Sequence, residues 1–350
     1  MRAPSPTGCL GIDVGGTKVA LRIEAAQAGT AQARTAQART AQAGAAQAGT
    51  NPMGGDEQIG PSRPSGPEGP VRPVETTFQW SPSATATQDI DDLAAHVAAL
   101  TARWGGRVDA VGVAMPATID AAGRVTTWPG RPAWTGLDLG AALRDLLPGS
   151  TVVCGDDGDL AALAEADAAG CENVVYLGVG TGVGGGIVLG GRSCPGPGRG
   201  SSEIGHLIIS SDGPSCDCGR RGCVQATASG PATLRRATQR RGAEVTFAEL
   251  RAAWLAADAW AVRTVGESAA AIATAVIGLT ELLHPAMAVV GGGFAAGLPG
   301  FPRAVAEHAQ TLARPGHPPA PVRPALLGGL SSLFGALLAA QSPARIGRLA

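Results

Sequence analysis

The 350-residue sequence predicts an α/β fold, because stretches that alternate like β-strands are interleaved with stretches of helical periodicity. Two glycine-rich turns support this class, since each lies between two predicted strands, one turn in each half of the chain. A third observation is a cluster of one histidine and three cysteines within 18 residues of the second half. The length allows two domains, each with its own core.

The chain opens with a predicted hairpin, followed by a low-complexity insertion. Residues 9–14 and 18–23 alternate like paired strands, and Gly15-Gly16 supplies the turn between them. In residues 26–73 a five-residue Ala-Gln repeat is followed by a stretch rich in Pro, Gly and Ser. A period of five fits neither helix nor strand, so we predict a disordered insertion in a surface loop.

Alternating strands and helices account for the rest of the chain. Short apolar runs predict strands over residues 110–115, 151–154, 174–179, 185–189 and 288–290. Apolar residues at helical spacing, or alanine-rich composition, predict helices over residues 90–104, 159–169, 231–241, 247–257 and 262–283. Gly105 and Pro285 are expected to end the first and the last of these helices.

The composition narrows the expected partners and compartment. With 27 Lys and Arg against 28 Asp and Glu, the net charge is −1, which favours neither a nucleic-acid nor a membrane-surface partner. The sequence shows no run of 18 apolar residues and no secretory leader. Seven cysteines, an odd number, fit a reduced protein. We therefore expect a cytoplasmic protein with a small-molecule partner, and neither nucleic acid nor a membrane.

His206, Cys216, Cys218 and Cys223 have the composition of a zinc site. Zinc prefers four tetrahedral nitrogen and sulfur ligands, and the glycines among these cysteines allow tight turns. Four protein ligands leave no position for a water molecule, which predicts a structural rather than a catalytic ion. The alternative is a disulfide or a set of unpaired core cysteines.

The two glycine-rich turns indicate phosphate binding. They read Asp-Val-Gly-Gly-Thr-Lys at 13–18 and Gly-Val-Gly-Thr-Gly-Val-Gly-Gly-Gly at 178–186. Backbone N–H groups in such turns can converge on phosphate oxygens, which glycine permits at close approach. Neither turn matches the P-loop or the dinucleotide-binding pattern. One such turn is most often a plain hairpin, but two in different halves of the chain predict a nucleotide phosphate clamped between domains.

These motifs together resemble the ROK sugar kinases (repressor, open reading frame, kinase) of the actin-like ATPase superfold. The Asp-x-Gly-Gly-Thr-Lys motif of that family stands at 13–18, and its Gly-Thr-Gly-x-Gly-Gly-Gly motif at 180–186. Its hallmark Glu-x-Gly-His…Cys-x-Cys-Gly-x-x-Gly-Cys spans 203–223. The glycines at 291–293 and the apolar segment 330–339 also match. The resemblance covers nearly the whole chain outside the insertion.

The resemblance implies a two-domain actin-like ATPase (ribonuclease H-like) fold of the α/β class, with ATP and an acceptor in the interdomain cleft. We accordingly expect an N-terminal domain over 1–148 and a larger C-terminal domain over 149–328. A C-terminal helix, within 329–350, is expected to return to the N-terminal domain. The implied cofactors are ATP, Mg²⁺ and a structural Zn²⁺. Members of the family are often dimers, so we also expect a homodimer.

The same resemblance implies the site residues. The nucleotide and its metal would contact three glycine-rich segments, at Asp13, Gly15, Gly16, Thr17, Lys18, Gly180, Thr181, Gly182, Gly184, Gly291, Gly292 and Gly293. Acceptor contacts would come from Asp156, Asp157, Glu203, His206 and Gln225. Zinc would be held by His206, Cys216, Cys218 and Cys223, with the second ring nitrogen of the histidine offered to the acceptor. Asp13 is the residue expected near Mg²⁺.

Asp157 is the general base that the resemblance implies. The family motif Asn-Asp-x-Asn-x-Ala-Ala-x-x-Glu corresponds to residues 156–165. Phosphoryl transfer to an alcohol needs a group that accepts the hydroxyl proton. A helix N-terminus stabilises a carboxylate, so we expect Asp157 to be ionised. The alternative is that Asp156, Asp157 and Asp159 serve only to cap the helix.

Several positions depart from the hexose kinases of the family, and all of them concern the acceptor. Gln225 replaces a glutamate, Gly130 stands where an asparagine is expected, and Ala117 replaces a glycine. Asp156 and Asp159 replace asparagines. A site built to hydrogen-bond particular hydroxyls discriminates strongly, so these changes indicate a different acceptor. We predict phosphorylation of a primary hydroxyl on a hexose-like acceptor, favouring a seven-carbon cyclitol (valienone, validone or valiolone type) over glucose or another hexose.

A sugar-sensing regulator is the rival interpretation from another functional class. Repressors of the family carry a winged-helix DNA-binding domain ahead of the Asp-x-Gly-Gly motif, whereas twelve residues precede Asp13 here. A catalytically inactive sensor is a further alternative, but a base at Asp157 argues against it. The kinase interpretation is therefore the leading one.

Overall fold

The computed structural model describes residues 7–26, 72–120, 122–196 and 200–345. The predicted insertion over 26–73 lies outside the described residues, apart from Ala26, Arg72 and Pro73. The strand before it and the strand after it are hydrogen-bonded neighbours. The insertion therefore sits in the connection of a β-hairpin.

Two five-stranded sheets, one two-stranded sheet and a set of covering helices make up the described part of the chain. Its strands are β1 (Thr7–Val14), β2 (Lys18–Ala25), β3 (Val74–Gln79), β4 (Arg107–Ala114), β5 (Thr118–Ile119), β6 (Val125–Thr127), β7 (Thr151–Gly155), β8 (Val174–Val179), β9 (Val183–Leu189), β10 (Arg192–Cys194), β11 (Met287–Gly291) and β12 (Val322–Pro324). Its α-helices are α1 (Ala86–Trp104), α2 (Leu139–Leu146), α3 (Asp157–Ala169), α4 (Val224–Ala228), α5 (Gly230–Arg241), α6 (Phe247–Leu255), α7 (Ala259–Leu283), α8 (Gly293–Ala296), α9 (Phe301–Thr311) and α10 (Ser331–Gln341).

The first sheet has the order β3-β2-β1-β4-β7. β1 and β2 pair antiparallel across the Gly15-Gly16 turn, as the sequence predicts, and β4 lies parallel between β1 and β7. Parallel strands end at the same edge of a sheet. Asp13 is accordingly opposite Ala114, and Ala114 is opposite Gly155. This edge therefore collects the residues that follow β1, β4 and β7.

The sequence reading missed the edge strand β3. Its residues alternate between exposed and half-buried, and the run Val-Glu-Thr-Thr-Phe-Gln has weak apolar contrast. An edge strand of this kind is polar on one face, which makes it hard to distinguish from a loop. By contrast, the predicted end of α1 at Gly105 is confirmed, whereas the helix begins at Ala86, four residues before the predicted start at residue 90. Thr85 and Gln88 form a capping box at its start, and Gly105 ends it in the left-handed conformation.

The second sheet has the order β10-β9-β8-β11-β12. β8 and β9 form the second glycine-rich hairpin, and β11 lies parallel to β8. Gly178 and Gly291 are partners in that parallel ladder, so the loops after β8 and β11 meet at one edge. One set of buried residues of this sheet shares an apolar core with α7, and another set packs with α3 and α10. β1, β2, β4 and α1 share a further core.

The C-terminal helix α10 lies between α3 and the first sheet. A Cβ atom on Gly335 would overlap the carbonyl oxygen of Leu160 in α3, and one on Gly112 in β4 would overlap that of Ala336. These backbones are therefore in direct contact, which a side chain at either glycine would prevent. α10 packs on β1 and β4. Its assignment as a helix that returns to an N-terminal domain stays a prediction.

The predicted domain boundary at 148/149 does not follow the strand ladder. β7 pairs with β4 in the first sheet, from Ala110–Thr151 to Ala114–Gly155. The predicted boundary places this strand in the C-terminal domain. We propose that the division into two domains stands, but that its boundary lies after Gly155.

Within the described residues, α7 is long and apolar enough to span a membrane by length and composition alone. Half of its most apolar window is buried inside the protein. Val265, Ile272 and Val276 are fully buried in the apolar core that includes β8 and β11. A core helix passes the same test of length and composition, so α7 is weak evidence for a membrane span.

Candidate active site and metal site

Three carboxylates lie at the carboxyl edge of the first sheet. Asp13 is the next-to-last residue of β1, while Asp156 and Asp157 directly follow β7 and open α3. The Asp156 side chain caps that helix, accepting hydrogen bonds from the N–H groups of Gly158 at 3.0 Å and Asp159 at 3.3 Å. The capping alternative therefore holds for Asp156, whereas Asp157 is the first residue within the helix.

The start of α3 is pressed against the second glycine hairpin. A Cβ atom on Gly158 would lie 2.5 Å from the carbonyl oxygen of Gly185, and one on Gly186 would lie 2.6 Å from that of Gly158. Real Cβ atoms do not approach so closely, so this contact requires glycine on both sides. Gly185 and Gly186 thus serve to bring Asp157 up to the hairpin.

Burial and like charges raise the carboxyl pKa values at this edge. Burial, with repulsion from Asp157, raises the pKa of Asp13 to about 7, although Lys18 opposes the rise. Burial, with repulsion from Asp157 and Asp159, raises the pKa of Asp156 to about 8. The pKa of Asp159 rises to about 7 through burial, against the hydrogen bonds from Ser202. A cluster of this kind is stabilised by a bound cation.

The pKa of Asp157 is also raised, chiefly by burial, against the hydrogen bonds from its own N–H and that of Gly158. The sequence prediction considered only the helix N-terminus, which favours the ionised form. Loss of hydration outweighs the helix terminus here. A carboxyl group whose pKa is raised toward neutrality accepts a proton more readily than an ordinary aspartate does.

The first glycine turn is held by its own backbone and by a tryptophan. The N–H of Gly15 donates to the carbonyl of Lys18 at 2.9 Å, and its carbonyl accepts from the Trp80 Nε1–H at 2.9 Å. Thr17 and Lys18 are exposed. A Cβ on Gly16 would lie 3.4 Å from the Cα of Gly130, the position where the resemblance predicted asparagine.

The second glycine turn has an open side and a braced side. The N–H of Gly180 donates to the carbonyl of Gly182 at 2.9 Å, which closes the turn. No atom approaches within 4 Å of a Cβ built on Gly180 or Gly184, and Thr181 is exposed. These positions leave room for a ligand, and their role in nucleotide binding stays a prediction. On the other side, the N–H of Val183 donates to the Gln225 Oε1 at 3.1 Å.

Gln225 therefore faces the second glycine turn. The sequence assigned it to the acceptor, and its accepting oxygen is instead engaged with backbone. Its Nε2 group is the remaining donor for an acceptor molecule. The acceptor role of Gln225 stays a prediction, and it now rests on the Nε2 group of the side chain.

The three glycines at the end of β11 and the start of α8 differ in how closely they are packed. A Cβ on Gly291 would lie 2.7 Å from the Ala325 Cβ, and Gly292 has φ +85° and abuts the backbone of Val179. Gly293 opens α8 with nothing within 4 Å of a built Cβ. The three predicted nucleotide glycines thus lie beside the second turn, and Gly293 is the one with open space around it.

Glu203 and Asp159 are linked through two serines that the sequence analysis did not single out. The Ser201 hydroxyl donates to the Glu203 Oε1 at 2.9 Å, and the Ser202 N–H donates to the Asp159 Oδ1 at 3.4 Å. Repulsion from Glu203 contributes to the raised pKa values of Asp156, Asp157 and Asp159. Glu203, just before the metal loop (residues 206–223), therefore forms one acidic cluster with Asp156 and Asp159 at the start of α3. We call these three carboxylates the acidic wall.

The predicted metal ligands come together. Donor atoms of His206, Cys216, Cys218 and Cys223 all lie within 4.8 Å of one another. The Cys216 Sγ is 3.7 Å from the His206 Nδ1, and the Cys218 Sγ is 3.7 Å from the Cys223 Sγ. A tetrahedral zinc ion with metal–sulfur bonds of about 2.3 Å separates its ligand atoms by about 3.6–3.8 Å. The four residues fit such an ion.

The disulfide alternative is excluded by the same geometry. All seven cysteines are free thiols. A disulfide needs a sulfur–sulfur distance of about 2.05 Å, well below that between Cys218 and Cys223. The ring nitrogen turned toward the cysteines is Nδ1 of His206, which leaves Nε2 for another partner, as the predicted double role requires.

Glycines set the position of the metal loop. A Cβ on Gly205 would overlap the carbonyl oxygen of Val183, and one on Gly222 would overlap that of Ser210. Gly222 also has φ +74°, which favours glycine. The loop therefore packs directly on Val183, the first residue of β9, which follows Gly182. The metal loop, the second glycine turn and α3 therefore form one contiguous site.

A buried ion pair behind the first glycine turn also escaped the sequence analysis. Arg131 donates to both oxygens of Asp89 at 2.7 Å, and the Trp134 Nε1–H donates to the same carboxylate at 2.7 Å. Both charged side chains are at most 8% exposed. The Arg131 guanidinium also lies over the Trp80 ring at 5.2 Å. This cluster supports Trp80, and through it Gly15. No periodic signal marks it, because its residues come from three separate segments.

The whole-chain comparisons agree with this arrangement. Residues 74–342 match the sequence pattern of the ROK family. The chain belongs to the ROK family. It is 48% identical over 328 residues to the kanosamine kinase of Amycolatopsis mediterranei, a match that covers 94% of each chain. The resemblance inferred from the motifs is therefore confirmed.

Solved ROK structures have the same fold. The ROK hexokinase of Thermus thermophilus superimposes with a TM-score of 0.74 at 28% identity, over 97% of this chain and 100% of that one. A ROK family glucokinase from Streptomyces griseus, solved with glucose and AMPPNP, gives 0.71 at 24% identity, over 96% and 99%. The second similarity concerns the fold alone. The predicted actin-like α/β fold is confirmed.

Proposed function

We propose that this ROK protein transfers the γ-phosphoryl group of ATP to a primary hydroxyl of an amino hexose of the kanosamine type. The kinase relatives support an ATP-dependent carbohydrate kinase, the enzyme class expected from the sequence. The observation that carries the choice of acceptor is the acidic wall. Asp156 and Asp159 replace asparagines of the family motif, and Glu203 adds a third carboxylate beside them.

An amino sugar matches that wall better than a neutral acceptor does. Its protonated amino group donates charge-assisted hydrogen bonds to carboxylates, which are roughly twice as strong as those between neutral groups. The pKa values of Asp156 and Asp159 are raised because these groups repel one another and lack hydration. A cation bound there removes the repulsion, whereas a neutral sugar leaves it in place.

Asp157 is the proposed general base. It accepts the proton of the acceptor hydroxyl, and the hydroxyl oxygen attacks the γ-phosphorus as the bond to the β-phosphate oxygen breaks. Asp13 is the residue proposed to hold Mg²⁺, which would neutralise the phosphate oxygens. The open positions Gly180, Gly184 and Gly293 leave the backbone N–H groups accessible to phosphate.

The metal loop is proposed to hold a structural Zn²⁺ and to brace the acceptor side. His206 would bind the ion through Nδ1 and offer Nε2–H to an acceptor hydroxyl, and Glu203 would accept from ring hydroxyls. All four ligand positions come from the protein, which suits a structural rather than a catalytic ion. The homodimer and the cytoplasmic location stay predictions.

A seven-carbon cyclitol is the second candidate. Gly130 stands where the resemblance places a hexose-contacting asparagine, and a Cβ there would lie only 3.3 Å from the Cα of Gly16, so this position offers a hexose no side-chain amide. Valienone-type cyclitols are neutral, however, and make no use of the extra carboxylates. Glucose is the third candidate, because it too is neutral and makes no use of the extra carboxylates. We therefore rank the amino hexose first.

The test is ATP consumption by the purified protein against a panel of acceptors. The panel contains kanosamine, glucosamine, glucose, N-acetylglucosamine and valienone at equal concentrations. We expect kanosamine to give the highest kcat/KM. Preference for valienone or glucose would overturn the amino-hexose assignment, and failure of every acceptor to stimulate ADP release would overturn the kinase.

A further inference from the structure

Glu165 is a buried carboxylate two turns beyond Asp157 in α3. Its side chain is inaccessible to solvent and accepts three hydrogen bonds from one segment of distant sequence. The donors are the N–H of Leu326 at 2.7 Å, the N–H of Leu327 at 3.0 Å and the hydroxyl of Ser331 at 2.6 Å. Burial raises the pKa of Glu165, and these three bonds oppose the rise.

The segment that Glu165 binds leads from β12 into α10. Ser331 is the first residue of α10, so the carboxylate fixes the point at which that helix begins. A buried carboxylate with three donors is specific in geometry, because losing any donor leaves a charge without its partner. The start of α10 therefore has one preferred position relative to α3.

α10 in turn contacts both α3, which carries Asp157, and β1, which carries Asp13. Gly335 is in backbone contact with Leu160, three residues after Asp157. A Cβ on Gly11, two residues before Asp13, would lie 2.7 Å from the Leu337 side chain. A shift of α10 would therefore be transmitted to the start of α3 and to the end of β1 together.

We propose that Glu165 is a positioning residue, which acts through α10 to hold Asp157 in register with Asp13. It does not touch the reacting atoms. Its effect is to keep the base and the metal-side carboxylate at a fixed separation while phosphate and acceptor bind on the glycine turns. Catalytic geometry is sensitive to displacements of about 1 Å, so loosening this contact lowers turnover more than binding.

Two variants probe the contact. In Glu165→Gln the side chain keeps its shape, but its NH₂ group faces donors, so at least one hydrogen bond is lost. In Ser331→Ala only the hydroxyl donor is removed. Val276→Ala, a truncation in the core of α7 outside this contact, is the control for general loss of stability. Melting temperatures are measured for all three.

We expect Glu165→Gln to lower kcat about tenfold while the KM values for ATP and acceptor stay within twofold. Ser331→Ala should lower kcat about threefold. Val276→Ala should keep the wild-type kcat, although it should lower the melting temperature about as much as Glu165→Gln does. The inference is overturned if Glu165→Gln retains kcat within twofold, or if Val276→Ala loses kcat to the same extent. The kinetic readout rests on the proposed kinase function, which the wild-type protein tests separately.

Hydrogen exchange tests the same inference without any turnover. In Glu165→Gln we expect faster exchange both in residues 326–331 and in residues 157–160, whose N–H groups include those that bond to Asp156. Faster exchange in 326–331 alone would mean that the contact is purely local and would overturn the positioning role. An unchanged pattern in both segments would overturn it as well.

Discussion

The carboxylate of Asp157, at the start of α3, raises the pKa of Asp13 at the end of β1. Burial is the larger cause of the rise, and burial with this repulsion brings the pKa of Asp13 to about 7. The two residues are 144 positions apart in sequence and meet because β1, β4 and β7 are parallel and end at one edge. Two buried carboxylates placed together in this way are stabilised in the ionised form by a cation between or beside them.

Asp157→Asn should lower kcat by about 10²–10⁴-fold, because an amide cannot accept the hydroxyl proton. The variant keeps the size of the side chain, so binding of a non-hydrolysable ATP analogue should change little. Steady-state kinetics and calorimetry measure the two quantities. Asp91→Asn, an exposed position on α1, is the control and should match the wild type. An Asp157→Asn protein with full turnover would contradict the base assignment.

Asp156→Asn combined with Asp159→Asn restores the asparagines of the family motif and should shift selectivity toward glucose. Removing two carboxylates weakens charge-assisted contacts to an amino group, and we expect the kcat/KM ratio of kanosamine to glucose to fall about 10–100-fold. Asparagine also caps helices, so α3 should still form. Kinetics on both acceptors check this. An unchanged ratio would show that the acidic wall does not read the amino group.

The nucleotide-free protein should become less stable as the pH rises from about 5.5 to about 8. The pKa values of Asp13, Asp156 and Asp159 are raised to about 7, 8 and 7. The folded state therefore binds protons that the unfolded state has already released. This contribution to stability is complete below the unfolded pKa of about 4 and is lost as pH rises through the folded values.

Melting temperatures in magnesium-free buffer measure that effect. In the Asp156→Asn, Asp159→Asn protein the decline should be shallower, because two of the raised groups are gone. Mg²⁺ with an ATP analogue should also reduce the decline in the wild type, since a cation stabilises the ionised carboxylates. A melting temperature that rises over this pH range in both proteins would contradict the raised pKa values.

Removal of the metal should loosen the acceptor side more than the nucleotide side. Cys218 is exposed, so Cys218→Ser removes a ligand with little change in packing. We expect loss of one zinc ion per chain by elemental analysis and an acceptor KM raised by about tenfold or more, since changing even the partners that orient metal ligands typically costs about 10–100-fold in metal affinity or activity. Cys171→Ser lies outside the cluster and should retain zinc. A fully active, zinc-free Cys218→Ser protein would argue against the bracing role.

Gly158→Ala should be destabilising, because the added Cβ would lie 2.5 Å from the carbonyl oxygen of Gly185. Overpacking of this kind costs about 1–3 kcal/mol of unfolding free energy. It should also move Asp157 and lower kcat. Gly278→Ala is the matched control, since α7 has open space at that position and alanine is the better helix former by about 1 kcal/mol. Denaturant unfolding measures both changes, which should have opposite signs.

The sequence predicted the elements whose signal is local. The Gly15-Gly16 hairpin, the Gly105 helix end and the cysteine spacing of the metal loop each lie within one short segment. The edge strand β3, the pairing of β7 with the first sheet and the Asp89–Arg131 pair were not predicted, because each depends on contacts between distant segments. The direction of the Asp157 pKa was missed for the same reason, since burial is a property of the whole fold.

The glycine motifs show the same distinction more finely. Sequence alone assigned Gly180, Gly182, Gly184 and the glycines of 291–293 to the nucleotide without distinguishing among them, and gave Gly185 no separate role. The structure separates Gly180, Gly184 and Gly293, which have open space around them, from Gly185 and Gly292, which are pressed against backbone. A motif therefore marks a site, but which glycine faces ligand and which faces protein depends on the packing of α3 and β8.

The most direct test of the account is a competition between kanosamine and glucose. The wild-type protein is given ATP, Mg²⁺ and both sugars at equal concentration, and the two sugar phosphates are counted by mass spectrometry. The acidic wall of Asp156, Asp159 and Glu203 predicts that kanosamine phosphate exceeds glucose phosphate by about tenfold or more. Equal amounts, or an excess of glucose phosphate, would contradict it.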